Sequence, residues 1–248
     1  MPADLGSTTD PAGIGGDGRV ALRLPIARAS RVIWVVVAVL IVATFAAQIF
    51  REVVSANNVV NLFDSDQKLN FPSTAKLLLM LSATILFAVI ALASTVRATR
   101  VRWFGASAIF ALVTLDEFTY MHQRLSDAMH DLTGTGGALR FAWVLVYLPL
   151  VVVLAIVYLP FWRTLETRLR YRILAAAVLF AGGSGGIELI KGAIYNDDRW
   201  SLSYGLVASV SDSLELIGLA ILVTILLEHL ATLTRTVEVR LEPSRSPA

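Results

Sequence analysis

Residues 103–126 read WFGASAIFALVTLDEFTYMHQRLS, an apolar run with Asp116, Glu117 and His122 set into its second half. The run is long enough to cross a bilayer, which takes about 20 predominantly apolar residues. An ionised carboxylate inside hydrocarbon costs about 3 kcal/mol or more unless it is paired, hydrated or bound to a cation. Two other apolar runs carry acids in the same way. Glu188 interrupts residues 172–194, and Asp212 with Glu215 interrupts residues 205–232. With the runs at 32–50, 73–96 and 141–161, the chain has six candidate spans. The sequence therefore predicts an all-α bundle of six membrane-spanning helices. Pro72 and Ser73 suit a helix start at the second run.

Composition agrees with a multi-pass membrane protein: 56% of the 248 residues are hydrophobic. There is no cysteine, which excludes disulfides, thiolate nucleophiles and Cys-ligated metals. Net charge is +2, and the placement of the charges says more than their sum. Arginines cluster before the first span (Arg19, Arg23, Arg28, Arg31), after the second (Arg97, Arg100, Arg102), after the fourth (Arg163, Arg168, Arg170, Arg172) and after the sixth (Arg235, Arg240, Arg245). The alternate loops hold mainly Arg51, Lys68, Arg140 and Arg199. The asymmetry predicts that both termini are cytoplasmic, in a cell inner (plasma) membrane. Residues 1–18, rich in Gly, Pro and Asp, read as a disordered tail; 19–232 form one transmembrane domain, and 233–248 a flexible cytoplasmic tail. Trp34, Trp103, Trp143, Trp162 and Trp200 fall near span ends, as an interfacial belt would. No internal repeat points to an inverted-repeat transporter. The scattered basic residues form no groove for nucleic acid.

Depth follows from orientation and a rise of 1.5 Å per residue. Counted from residue 103, Asp116 and Glu117 lie roughly 20 Å up a core about 30 Å thick, with His122 near the outer rim. Glu188 lies roughly 24 Å up from residue 172, and Asp212 and Glu215 lie roughly 10 and 15 Å below the outer surface. All five acids thus fall in the outer half, and the expectation is that they line one shared pocket. Asp212 and Glu215, three apart, share a helix face, with Ser211 flanking. Ser184, Glu188 and Lys191 line another face. Glu117 shares a face with Tyr120 and Arg124. On a continuous helix His122 is about 120° from Asp116 and about 140° from Glu117. It reaches neither without a local bend. His130, Asp127 and Asp131 read as surface groups and His229 as interfacial.

Residues 181–186, AGGSGG, precede Glu188. Four glycines in five residues weaken a helix. They predict either an interrupted helix with freed carbonyls or close packing through the Gly182–Gly186 pair. The loop 51–71, with Val59, Val60, Leu62, Phe63, Asp64 and Asp66, reads as an interfacial segment able to cover the acidic cluster.

Leu115-Asp116-Glu117 with His122, Asn61-Leu62-Phe63-Asp64 before Pro72, and Asp212-Ser213-Leu214-Glu215-Leu216 resemble a pattern in bacterial multi-pass membrane proteins without an assigned activity. The resemblance covers most of residues 60–225. In that group another acid often stands at the place of Ser211, and an acid follows the histidine where this chain has Gln123. The smaller acidic set here favours one cation over several.

From the residues, the leading expectation is a divalent metal ion, of no specified identity, held by Asp116, Glu117, Glu188, Asp212 and Glu215 with His122 as auxiliary ligand or acid–base group. Tyr120, Ser184, Ser211, Lys191 and Arg124 are the supporting residues. Such a site would act on a lipophilic substrate reached from the lipid bilayer. Two alternatives use the same carboxylates: a transporter relaying protons or passing a cation, and an accessory subunit whose charges pair with a partner. Structural neutralisation of the acids by Arg124, Lys191 and Arg199 is the non-functional alternative.

Overall fold

The computed structural model describes residues 14–15, 19–22, 25–53, 62–63, 70–133, 143–194, 201–233 and 237–240. Most of the 51–71 loop, with Arg199, Trp200 and much of both tails, lies outside them. Among the described residues, seven helices make up the fold: α1 (Ile26–Val53), α2 (Phe71–Ala93), α3 (Arg97–Thr119), α4 (Met121–Thr133), α5 (Trp143–Thr164), α6 (Thr167–Ile194) and α7 (Leu202–Leu233). Short strands β1 (Ile14–Gly15), β2 (Arg19–Leu22) and β3 (Val237–Arg240) pair antiparallel in the order β1-β2-β3.

Among the described residues, five helices are long and apolar enough to cross a membrane: α1 over Ile26–Phe50, α2, α5, α6 and α7. The sixth expected span is not among them. It divides into α3 and α4 at Tyr120, whose φ of 55° puts it in the left-handed region. That conformation is costly for a bulky side chain. Its N–H closes the helix end on the carbonyl of Asp116. α3 also carries Arg100 and Arg102 near its start and Asp116 and Glu117 near its end, which lowers its apolarity.

α7 is the centre of the bundle. It packs against α1, α2 and α6. In lipid, helices associate through close packing and polar contacts rather than a hydrophobic drive, so small residues mark the interfaces. Gly205, Ala208, Ser209, Ser211, Ser213, Gly218 and Ala220 are all buried on α7. Gly218 lies so near α6 that a Cβ there would stand 2.8 Å from both the Ala176 carbonyl oxygen and the Phe180 nitrogen. Apolar contacts fill the remainder: Phe87, Ile90, Trp103, Phe161, Leu222 and Leu226 form one cluster, and Val37, Leu40, Leu216 and Ala220 a second. Trp103, expected in an interfacial belt, is instead buried between Phe87, Phe161 and His229.

α2 and α3, joined by three residues, run antiparallel along their whole length. Phe87 meets Trp103 and Phe110 at one end, Thr84 accepts from Ser107 midway, and Lys76 meets Glu117 at the other. α2 starts where Pro72 and Ser73 implied. Asn70 is the N-cap, its buried Oδ1 accepting from the Ser73 N–H at 2.6 Å, and Pro72 sits in the first turn, where its missing N–H costs nothing. Asn70→Ala is expected to cost about 1 kcal/mol in unfolding measurements on the purified protein; unchanged stability would remove the cap from the account.

Candidate functional site

The acids pair with different partners, although the groups adjoin, with the Lys191 ammonium within electrostatic range of Asp212. They divide into three groups, and the largest forms around a residue on a fourth helix. Lys76 projects from the second turn of α2 into the bundle, buried. Its Nζ is 2.8 Å from Oε1 of Glu117 on α3, 2.8 Å from Oε2 of Glu215 and 3.9 Å from Oδ1 of Asp212, both on α7. The three-residue spacing of Asp212 and Glu215 does aim both at one point, as a shared helix face requires. That point is an ammonium group. Asp212 is also left with Oδ2 buried and without a hydrogen-bond partner among the described residues.

Glu188 forms the second group with a residue of its own helix. Lys191 Nζ donates to Glu188 Oε1 at 2.7 Å, and the ammonium lies 5.7 Å from the centre of the Tyr204 ring. This is the pairing the Glu188–Lys191 face implied. Ser184 on the same face donates to the Phe180 carbonyl instead. Arg124, considered as a neutralising partner, is exposed and makes no ion pair among the described residues.

Asp116 forms the third group. Although adjacent to Glu117, it meets a different helix: Glu117 contacts Lys76 of α2, and Asp116 contacts Tyr147 of α5. Its Oδ1 accepts the His122 backbone N–H at 3.0 Å and the Tyr147 hydroxyl of α5 at 2.9 Å; its Oδ2 is 2.9 Å from His122 Nδ1. On an unbroken helix His122 would face well away from Asp116. The left-handed turn at Tyr120 supplies the bend and swings His122 back over the end of α3. Trp143 packs edge-on against the imidazole and against Tyr147, with ring centres 5.4 and 5.2 Å apart.

The glycine segment combines both expected features, on a different residue. Residues 182–187 form a π-helical turn, a wider coil that frees carbonyls from the regular ladder. The Gly183 carbonyl accepts from Ser211 Oγ on α7 at 2.8 Å. Gly183, not Gly182 or Gly186, makes the close approach. A Cβ on it would lie 2.7 Å from the Ser211 carbonyl oxygen and 2.9 Å from Glu215 Cγ, while Gly182 and Gly186 have nothing within 4 Å. The close contact of α6 with α7 thus buttresses the side chain of Glu215.

Among the described residues no group of three or more histidines and acids is arranged to hold a metal ion. What the arrangement does contain is a lysine facing three carboxylates, largely buried between α2, α3 and α7. The fold and the site define a helical membrane protein with an ion-paired polar centre. A family model for a domain of unknown function, DUF8692, matches residues 32–230, and the chain belongs to that family. No curated protein and no solved structure matches it.

Proposed function

We propose that this chain is a six-span protein of a bacterial plasma membrane whose Lys76–Glu117–Asp212–Glu215 cluster takes up and releases a proton, the charge-compensating step of a proton- or cation-coupled transporter. The observation that carries this reading is a charge imbalance. One ammonium contacts three carboxylates, a second, Lys191, lies within electrostatic range of Asp212 but is paired with Glu188, and one carboxylate oxygen, Oδ2 of Asp212, is buried without a hydrogen-bond partner among the described residues. Carboxylates that outnumber the ammonium groups beside them are disfavoured as anions where they are largely buried. A proton on the cluster removes that cost, and its loss restores it. Such a site changes charge state while its helices stay packed. Acidic chains in pumps and transporters work on this principle.

Six spans follow if α3 crosses beside α2. The two are each 23 residues long and pack antiparallel, and the two acids of α3 are met by Lys76, His122 and Tyr147 rather than by lipid. The pairing of β2, just before α1, with β3, just after α7, supports an even number of crossings, with both termini on one side. The arginine-rich loops favour the cytoplasmic side.

Infrared spectra of the protein in lipid nanodiscs across a pH titration test the reading. The expected result is the carbonyl band of one protonated carboxylic acid, lost in Asp212→Asn, together with pH-gradient-driven proton flux in liposomes. Absence of the band at every pH overturns it. Stoichiometric divalent metal in the wild-type protein that disappears in Glu117→Gln and Glu215→Gln would return the site to metal binding.

A further inference from the structure

We propose that the arginine-rich end of the bundle holds one anionic phospholipid, its phosphate on Arg102, Arg163 and Arg170 around the last turn of α5 and its acyl chains in the cleft between α5 and α6. The site is independent of the Lys76 cluster, which lies toward the other end of the helices.

Charge at this end is unbalanced. Contacts from Trp103 to Phe161 and His229, and from Arg172 to Glu228, bring the start of α3, the end of α5, the start of α6 and the end of α7 together. Residues 97–102 and 163–172 supply seven arginines there, against two acids, Glu166 and Glu228. Arg172 is paired with Glu228, and Arg100 is spent on the Ser94 carbonyl that closes α2, at 2.9 and 3.1 Å. Arg102 and Arg170 pair with no carboxylate among the described residues. Both lie against the last turn of α5. Arg102 reaches it from α3, 5.8 Å from the centre of the Phe161 ring, and Arg170 from α6, 5.4 Å from the Trp162 ring. Arg170 also donates to the Leu165 carbonyl at 3.2 Å, while its Nε is buried with no acceptor among the described residues. Arg163, on α5 itself, is exposed. Three cations thus surround one helix end, with a single exposed acid, Glu166, beside them. A guanidinium matches a phosphate with paired N–H groups, and stacking on an aromatic ring suits it to the headgroup level.

The cleft is a separate observation. α5 packs against α3 and α4 but hardly against α6, although a connection of two residues joins them. Only 6% of its membrane-crossing stretch is buried in the protein, against 56% for α7. Leu150, Val151, Val152 and Val153 are each about half exposed. At about 100° per residue they look out over about 300°, so the middle of α5 is bare on nearly every side. Two tyrosines hold it to α3 near its ends. Tyr147 donates to Asp116 at 2.9 Å, and Tyr158 to the Arg102 carbonyl at 3.2 Å, in a space that Gly105 leaves open. On α6, Tyr171, Leu174 and Val178 make an uncovered stripe at helical spacing. An apolar opening that ends at half-buried arginines and a tryptophan matches a phospholipid in both shape and charge. An acidic protein segment would match the charge alone.

Native mass spectrometry of the protein released from nanodiscs holding equal phosphatidylglycerol and phosphatidylcholine reads the site. The expected result is one phosphatidylglycerol retained per chain. Arg102→Gln with Arg170→Gln is expected to weaken retention about thirtyfold, about fivefold for each arginine at a lipid surface. Arg28→Gln with Arg31→Gln removes the same charge from the start of α1 and is expected to retain the lipid as wild type does. Val178→Trp keeps every charge and fills the cleft from an exposed position, and is expected to expel the lipid from a folded protein. Equal retention of the two lipids, equal losses in the two arginine pairs, or wild-type retention in Val178→Trp overturns the proposal. So does inorganic phosphate that raises the unfolding temperature as much as phosphatidylglycerol, which would mark an anion site without a lipid.

Discussion

Lys76→Met is expected to be the most damaging single substitution in the chain. It keeps the apolar stem of the side chain and removes the ammonium that Glu117 and Glu215 each approach at 2.8 Å. Breaking a buried ion pair by deleting one partner costs about 3–5 kcal/mol, because the remaining charge stays buried and uncompensated. Here up to three carboxylates lose their counter-charge at once. The cost is expected to appear as a lower unfolding temperature in detergent and as loss of protein from the membrane fraction. The triple variant Lys76→Met, Glu117→Gln, Glu215→Gln is expected to recover most of the loss, since neutral side chains of similar shape need no counter-ion. A Lys76→Met protein as stable as wild type would show that the lysine does not hold these helices together.

The second large effect is expected at Gly183→Ala. One added methyl group would sit 2.7 Å from the backbone oxygen of Ser211 and 2.9 Å from Cγ of Glu215. A backbone atom cannot swing aside, so α6 and α7 must separate. The Ser211–Gly183 hydrogen bond lengthens, and Glu215 is displaced from Lys76. Overpacking of this kind costs about 1–3 kcal/mol, measurable by the same unfolding assay. Gly186→Ala supplies the contrast. With nothing within 4 Å of its added methyl, it is expected to be neutral or to stabilise the helix by up to about 1 kcal/mol. Equal losses at Gly183 and Gly186 would refute the assignment of the close contact to Gly183.

What was legible in the sequence was the class of protein and the oddity of its acids. Long apolar runs show five of the spans directly, because length and composition are all that a crossing helix requires. The i, i+3 spacing of Asp212 and Glu215 and the Glu188–Lys191 pair were also readable, since a helix face is set by sequence alone. The role of Lys76 as their partner is not legible in the same way. Its signal was present, a lone lysine a few residues inside an apolar run, but its acids are 41 and 136 to 139 positions away, at Glu117, Asp212 and Glu215. Arg124, a neighbour in sequence, is exposed instead. The Asp116–His122 contact was out of reach for a different reason. It depends on one left-handed residue, Tyr120, and a tyrosine gives no warning of that conformation as a glycine would. Of the two readings of the glycine segment, close packing falls on Gly183 and not on the 182–186 pair, because the π-helical turn rotates the face that a regular helix would present.

The position of α7 at the heart of the bundle has a bearing on how the protein is made. Ribosomes deliver α1 to α6 first, and Lys76 enters the membrane 139 residues ahead of Glu215. Glu117, on the neighbouring hairpin helix, arrives soon after the lysine and can shield it during the wait. The small-residue surface against which α1, α2 and α6 settle exists only once the last long helix has been synthesised. Assembly is therefore late and abrupt: a loose set of early helices, one already neutralised hairpin, and a final segment that locks the rest in place.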